Sequence, residues 1–272
     1  MLLKGITLVS LILAVLFCVP GQGALWAGVL VFLGSWLALA LAAFGFLVAV
    51  CHVVDREKEQ QEDSKFHRAV MYLYIEALIS LVLVRLKTTG LEKTPKEGRF
   101  LLVCNHLFIA DPGILLHCFK KSQVSFITKK ENQKLPIVAP IMHKILCQPI
   151  DRENDRQALK TILKCIQLIR EDKVSVGVFP EGYTSKDQKL HHFRHGVFKI
   201  AQKADVPIVV CTIRGTREIF KNLARLKHTD VELHLVDVIP AGELKGKTTV
   251  EISDMVYEMM INDLGESFRP AE

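Results

Sequence analysis

The first 51 residues contain a single charged side chain, Lys4. A stretch that long and that apolar must be covered, either by protein or by lipid. It divides into two apolar runs around Pro20-Gly21-Gln22-Gly23. The first, from about Ile6 to Val19, falls short of the ~20 residues that usually cross a bilayer. The second, Ala24 to Cys51, exceeds that length, and tilting accommodates the surplus. Residues 1–51 therefore read as a membrane helical hairpin. The alternative for the first run is a cleaved signal peptide, since it has a basic start and a short apolar core. Val19-Pro20-Gly21-Gln22-Gly23 matches a small-residue cleavage site poorly. In both readings the segment after Cys51 carries Arg56, Lys58, Lys65 and Arg68, whereas the turn between the runs carries no charge. The positive-inside rule then places the remainder of the chain on the cytoplasmic side.

Residues 52–65 read as a charged, solvated hinge. Over residues 66–87 the polar side chains Arg68, Tyr72, Glu76 and Ser80 recur every four, continuing from Lys65. That is helical periodicity with a broad apolar face. It predicts an amphipathic helix, lying in the membrane interface or buried in protein. A third span is the competing reading, opposed by Glu76 near its middle.

From residue 88 to 272 the pattern changes. Five short apolar runs read as buried strands: residues 100–104, 124–127, 174–179, 207–211 and 231–236. Helical periodicity fills residues 156–170, 197–203, 217–226 and 250–264, and Thr248 with Glu251 has the spacing of a capping box. Alternating strands and helices predict an α/β layered domain around a largely parallel sheet, preceded by the N-terminal membrane helical hairpin. All but one of the 35 Lys/Arg and all 29 Asp/Glu lie after residue 51, so this domain is mildly basic. Beside a membrane, that charge suits anionic headgroups or phosphates. No basic stripe with interleaved aromatics is present, which argues against nucleic acid as a partner. The seven cysteines include no CxxC pair, and their odd number suits reduced core thiols.

Two segments carry chemistry. Asn105-His106-Leu107-Phe108-Ile109-Ala110-Asp111-Pro112 follows a strand and opens a helix. Pro112 suits the first helical turn, which makes Asp111 a natural N-cap. The segment puts His106 and Asp111 at the carboxyl edge of the sheet, where open α/β sheets bind ligands. A carboxylate accepting from the imidazole Nδ1–H leaves Nε2 as a base. On these residues alone, a capping Asp beside an unrelated loop His fits equally well. The second segment, Phe179-Pro180-Glu181-Gly182-Tyr183-Thr184-Ser185, also follows a strand. Glu181 there, with Gly182 letting the backbone approach a ligand, has the look of a substrate contact, but on these residues alone a Pro-Gly turn with a surface Glu fits better.

Taken together, Asn-His-x4-Asp followed by Phe-Pro-Glu-Gly resembles the glycerolipid acyltransferase family that includes 1-acylglycerol-3-phosphate acyltransferases, whose usual motifs are NHxxxxD and FPEGTRS. Between them, Thr128-Lys129-Lys130-Glu131, Pro136 and Ile150-Asp151-Arg152 are similar to the family's intervening block. Val206-Pro207-Ile208-Val209-Val210 is similar to its fourth motif, and the resemblance covers about residues 85–235. Four ordered motifs are specific where each alone is weak. Two positions depart from the pattern. The family's Thr-Arg-Ser is Tyr183-Thr184-Ser185 here, without the arginine, and the second proline of the fourth motif is Val210.

The resemblance implies direct acyl transfer from acyl-CoA or acyl carrier protein to the sn-2 hydroxyl of 1-acylglycerol-3-phosphate in phospholipid synthesis, with membrane lipid as surroundings. His106 and Asp111 are the expected catalytic pair. Asn105, Lys129, Arg152, Glu181 and Gly182 are the expected substrate contacts, Lys129 and Arg152 for anionic groups. Backbone N–H groups near Gly182 are the expected oxyanion donors. No metal or organic cofactor is implied, and His191, His192 and His195 lack an evident fourth ligand for zinc. Two alternatives stay open: another lysophospholipid or amino-lipid acceptor, and a non-enzymatic membrane-anchored lipid-binding module.

Overall fold

The computed structural model describes residues 1–18 and 25–270. Two apolar helices come first, α1 (Leu2–Cys18) and α2 (Leu25–His52). They run antiparallel: Trp36 Nε1 donates to Thr7 Oγ1 at 3.2 Å, and Gly28 lies against Cys18. A Cβ on Gly28 would come within 2.6 Å of Cys18 Sγ, so its bare Cα sets how closely the legs approach. The turn expected at residues 20–23 lies outside the described residues. Among the described residues α2 is the one helix long and apolar enough to cross a membrane, at 28 residues, or about 42 Å of helix.

The sheet has seven strands in the order β1-β7-β6-β2-β5-β3-β4. The strands are β1 (Val84–Thr89), β2 (Leu101–Cys104), β3 (Val124–Lys129), β4 (Gln148–Ile150), β5 (Ser175–Val178), β6 (Ile208–Arg214) and β7 (Thr229–Ile239). All neighbours pair in parallel except β6 and β7. β1 and β7 thus run opposite to the other five. The predicted α/β architecture is present, and all five predicted strands form.

Two helical layers cover the sheet. On one face lie α3 (Lys65–Leu81), α4 (Asp111–Cys118) and α8 (Ile219–Leu223), together with the end of α2. Leu47 and Cys51 of α2 share a single core cluster with Val70 and Met71 of α3, Ile114 and Leu115 of α4, and Ile219 of α8. On the other face, α6 (Asp155–Arg170), α7 (Lys199–Ala204) and α9 (Thr249–Leu264) bury Ile166, Ile200 and Val256 against the sheet. The predicted capping box forms at α9, where Thr248 Oγ1 accepts from Glu251 N and a Glu251 carboxylate oxygen accepts from Thr248 N.

Two expectations need correction, and the polar stripe of α3 proves partly buried in protein. The helix predicted over residues 66–87 ends at Leu81. Leu83 follows in the left-handed region (φ 56), and the chain then runs extended as β1. The polar stripe on α3 does not face solvent throughout. Arg68 is buried, pairs with Asp63 at 2.7 Å and donates to the Val124 carbonyl at 2.9 Å. Nor is residues 52–65 a free hinge. Ser64 N donates to Lys144 O, Glu59 pairs with Lys164, Glu62 with Lys173, and Lys144 Nζ donates to Gln60. This strap fixes the root of the hairpin to α6 and to α5 (Val138–Lys144).

Candidate active site

β2, β5, β3 and β4 are adjacent and parallel, so their carboxyl ends open on one edge. That edge collects residues far apart in sequence: His106 and Asp111 after β2, Glu181 and Gly182 after β5, Lys129 at the end of β3, and Arg152 after β4.

His106 Nδ1 lies 2.9 Å from Asp111 Oδ2. The same oxygen accepts from Leu107 N and Phe108 N, both at 2.7 Å. The carboxylate is fully buried; the three donors to Oδ2 offset part of its desolvation, and Oδ1 has no hydrogen-bond partner among the described residues. Asp111 is therefore not the N-cap of α4. It occupies the first turn, and its side chain turns back to organise the preceding loop. In the neutral ring, an Asp111 oxygen accepting from Nδ1–H leaves the Nε2 lone pair open. The imidazole is 16% exposed and stacks on Phe179 at a centroid distance of 4.2 Å. Phe126 stacks behind Phe179 at 5.3 Å. This aromatic wall fixes the ring plane, and nothing in the sequence singled out Phe126.

Two residues expected to touch substrate are occupied elsewhere. Asn105 is buried, and its amide bridges to β6: Ile213 N donates to Oδ1 at 2.8 Å and Nδ2 donates to Ile213 O at 3.0 Å. Glu181 is also buried. Its two oxygens accept from His106 N and His191 N, each at 3.1 Å. Burial pushes its carboxyl up to about 7, against the lowering effect of those two bonds. Both side chains hold the His106 loop in place.

Gly182 has a different task from the one expected. Its N–H donates to Phe179 O at 3.0 Å, so it is not available to an oxyanion. Its φ is +82, and a Cβ there would sit 2.8 Å from Arg194 Nε and 3.9 Å from Arg152 Nε. Two guanidinium groups thus converge over a bare Cα. Arg194 N also donates to Pro180 O at 2.8 Å, which ties its backbone to the same turn. Neither arginine has a carboxylate ion-pair partner among the described residues. Arg152 is lowered from its usual range by burial and then by the facing charge of Arg194. Lys129 is more than half exposed and pairs with Glu131 at 3.5 Å. The arginine absent at Thr184 is thus matched by one ten positions later, which sequence reasoning missed. Its only local signal was a basic residue in a loop already crowded with histidines. Arg217, equally unremarked, donates to Ser185 O at 3.0 Å, and Ser185 N donates to His106 O at 2.8 Å.

Other nucleophiles fit poorly. Cys104 is fully buried, and burial raises its thiol well above the ordinary range. The histidine cluster does not form a shared helix face. His191 precedes the short 3-10 turn His195–Phe198 and pairs with Asp187 at 2.9 Å. Among the described residues no group of three or more His, Cys, Asp or Glu side chains could hold a metal ion.

The arrangement supplies a positioned base, a buried carboxylate behind it, and paired cations beside it. Comparison with known proteins points the same way. The sequence model of the family described as Acyltransferase matches residues 85–214. A probable 1-acyl-sn-glycerol-3-phosphate acyltransferase of Mycoplasma pneumoniae is 30% identical over 204 residues, covering 72% of this chain and 75% of that protein. The 1-acyl-sn-glycerol-3-phosphate acyltransferase of Borreliella burgdorferi is 26% identical, covering 70% and 78%. Among solved structures, the 1-acyl-sn-glycerophosphate acyltransferase PlsC of Thermotoga maritima aligns with a TM-score of 0.62 over 84% of this chain and 90% of that one, at 22% identity, a likeness of fold.

Proposed function

The chain belongs to the acyltransferase family, and from that premise we propose that it moves a fatty acyl group from a thioester to the sn-2 hydroxyl of 1-acylglycerol-3-phosphate, with His106 as general base. The observation that carries the mechanism is the 2.9 Å contact between His106 Nδ1 and a fully buried Asp111, which leaves Nε2 open.

In this reading the acceptor hydroxyl gives its proton to Nε2 as its oxygen attacks the thioester carbonyl. Asp111 holds the ring in the Nδ1–H tautomer and stabilises the imidazolium. The carbon–sulfur bond then breaks, and the thiolate takes the proton back from Nε2. No acyl-enzyme is needed. General base catalysis of this kind contributes ~10²–10⁴ in rate. Arg152 and Arg194 hold the acceptor phosphate, for which guanidinium forks are well suited. Lys129, exposed and shared with Glu131, contributes a weaker field. The donor is acyl-CoA or acyl carrier protein. The domain faces the cytoplasm, because Arg56, Lys58, Lys65 and Arg68 follow α2 whereas the segment between α1 and α2 carries no Lys or Arg.

The test is purified full-length protein in lipid vesicles, given labelled acyl-CoA or acyl carrier protein and a panel of lysolipids. Transfer to lysophosphatidate above the other acceptors is the expected result. A preference for a phosphodiester or amino-lipid acceptor would reassign the substrate, as the threonine at position 184 first suggested.

A further inference from the structure

Beside the active site runs a row of exposed apolar side chains. Ile109, inside the His106–Asp111 loop, is 74% exposed. Its neighbour Phe108 packs edge-on against Phe220 of α8 at 5.0 Å, and Phe220 is itself 59% exposed. Three residues after α8, Leu226 adopts the left-handed region (φ 53) with 84% of its surface exposed. A leucine held there takes a conformation that favours glycine and lacks the burial its side chain favours.

The rim continues to the membrane-associated end of the molecule. His228 Nδ1 lies 3.2 Å from Leu83 O, and Thr229 N donates to the same carbonyl at 3.0 Å. The segment holding Leu226 is thereby stitched to the end of α3, where Leu78 and Leu81 are exposed. α3 in turn packs on α1. Ile219, at the start of α8, shares its core cluster with Leu47 and Cys51 at the root of α2. So the hairpin, α3 and α8 belong to one layer, on one face of the sheet.

Charge along the rim fits the same surroundings. Lys221, Arg225 and Lys227 are all exposed and interleave with Phe220 and Leu226. Glu218, paired with Lys221 at 2.9 Å, is the one acid in residues 217–228. Apolar side chains alternating with cations on a surface element are the composition of an interfacial lipid contact. A protein partner would need a complementary acidic apolar face, whereas the bilayer is already brought to this layer by α2.

We propose that this rim, from Leu81 through Leu226 and Phe220 to Ile109, is a second membrane contact that rests in the headgroup region of an anionic bilayer. It sets the mouth of the His106 loop at the lipid surface. An acceptor lipid can then present its headgroup to the site while its chain remains in the bilayer. The contact stands independently of which lysolipid is acylated.

The test uses full-length protein in vesicles of phosphatidylcholine with phosphatidylglycerol. Phe220→Trp is placed on a Trp26→Phe/Trp36→Phe background, and Leu226→Trp is made as a second reporter on the same background. Lipids brominated high on the acyl chain should quench both reporters and leave their emission blue-shifted. Reporters with solvent-like emission and no quenching would overturn the proposal. Quenching in the unmodified rim should fall as phosphatidylglycerol is diluted out, and replacing Lys221, Arg225 and Lys227 with glutamine should remove that dependence. Quenching indifferent to anionic lipid in the unmodified rim would overturn its charged part. In kinetics, Phe220→Glu/Leu226→Glu should lower transfer to a vesicle-embedded acceptor by roughly tenfold, the scale of exposing one large apolar side chain. Transfer to a short-chain, water-soluble acceptor should hold. This last arm alone depends on the acyl-transfer reading. If the tryptophans are quenched but neither acceptor is used, that reading fails and the contact stands.

Discussion

Arg194 occupies the space that a side chain on Gly182 would fill, with its Nε 2.8 Å from where a Cβ would lie. Gly182→Ala therefore has two consequences. The residue must hold φ +82 with a Cβ, at about 1–2 kcal/mol. Arg194 must also move off Arg152. The expected outcome is a folded protein whose kcat/KM for a phosphate-bearing acceptor falls at least tenfold, roughly the worth of one charge-assisted hydrogen bond. Steady-state kinetics beside a thermal unfolding curve would check it. Unchanged kinetics with a lowered Tm would mean that the glycine serves only the turn.

His106→Ala should lose ~10²–10⁴ in turnover and lower Tm modestly, because it removes one of the three donors to the buried Asp111 carboxylate. Asp111→Asn should lose activity too, and should also lower stability. It removes the charge that holds His106 Nδ1, Leu107 N and Phe108 N, at about 1–3 kcal/mol. Turnover of His106→Ala within tenfold of the parent would dismiss His106 as the base.

Arg152→Ala and Arg194→Ala should each weaken use of lysophosphatidate by roughly 10–150-fold. The double variant should fall short of the product of the two, since neighbouring groups on one ligand couple. Thr184→Arg should leave activity unchanged or improve it for phosphomonoesters. The comparison is kcat/KM for lysophosphatidate against lysophosphatidylcholine and lysophosphatidylglycerol. Two silent arginine variants would place the phosphate elsewhere.

Glu181 gives a pH signature. Burial raises its carboxyl from 4.5 to about 7, so the folded state holds this proton more tightly than the unfolded chain. Its contribution is complete below about pH 4.5 and is lost as pH rises through about 7. Glu181→Gln stays neutral throughout. Relative to the parent, its Tm should therefore improve between pH 5 and pH 8. A Tm difference that is flat with pH would show that this carboxyl titrates as in solution.

Asp63 and Arg68 form a buried ion pair, with side chains 6% and 4% exposed. Asp63→Ala would strand the Arg68 charge in the core, and removing one member of such a pair costs about 3–5 kcal/mol. Arg68→Met with Asp63→Ala should recover much of that loss. Denaturation of the three proteins in one detergent would show it. An Asp63→Ala protein as stable as the parent would mean that water reaches Arg68.

Four of the five predicted strands were legible as short apolar runs largely buried on both faces, and β7 as an alternation of buried and exposed residues, properties that composition and period record directly. β1 was not. Val84-Arg85-Leu86 extends the apolar face of α3 in sequence, and the break comes from Leu83 in a left-handed conformation that no residue type announces. The strap was misread for a related reason. Its charges look solvated in sequence, and their partners Lys144, Lys164 and Lys173 lie about a hundred positions away.

The sequence by itself determined the apolar anchor, the α/β class, and the candidates His106, Asp111 and Arg152. Hydrophobic runs, strand–loop–helix order and motif spacing are all local properties of the chain. Tertiary structure decided what each residue does. It turned Asn105 and Glu181 from substrate contacts into braces for the His106 loop, and Asp111 from a helix cap into the acceptor for three donors. It also brought Arg194 across Gly182 to Arg152, 42 positions apart. Such roles depend on which groups parallel strands deliver to one edge, and on which of their hydrogen bonds are already taken. Those are distances in space, which chain order does not encode.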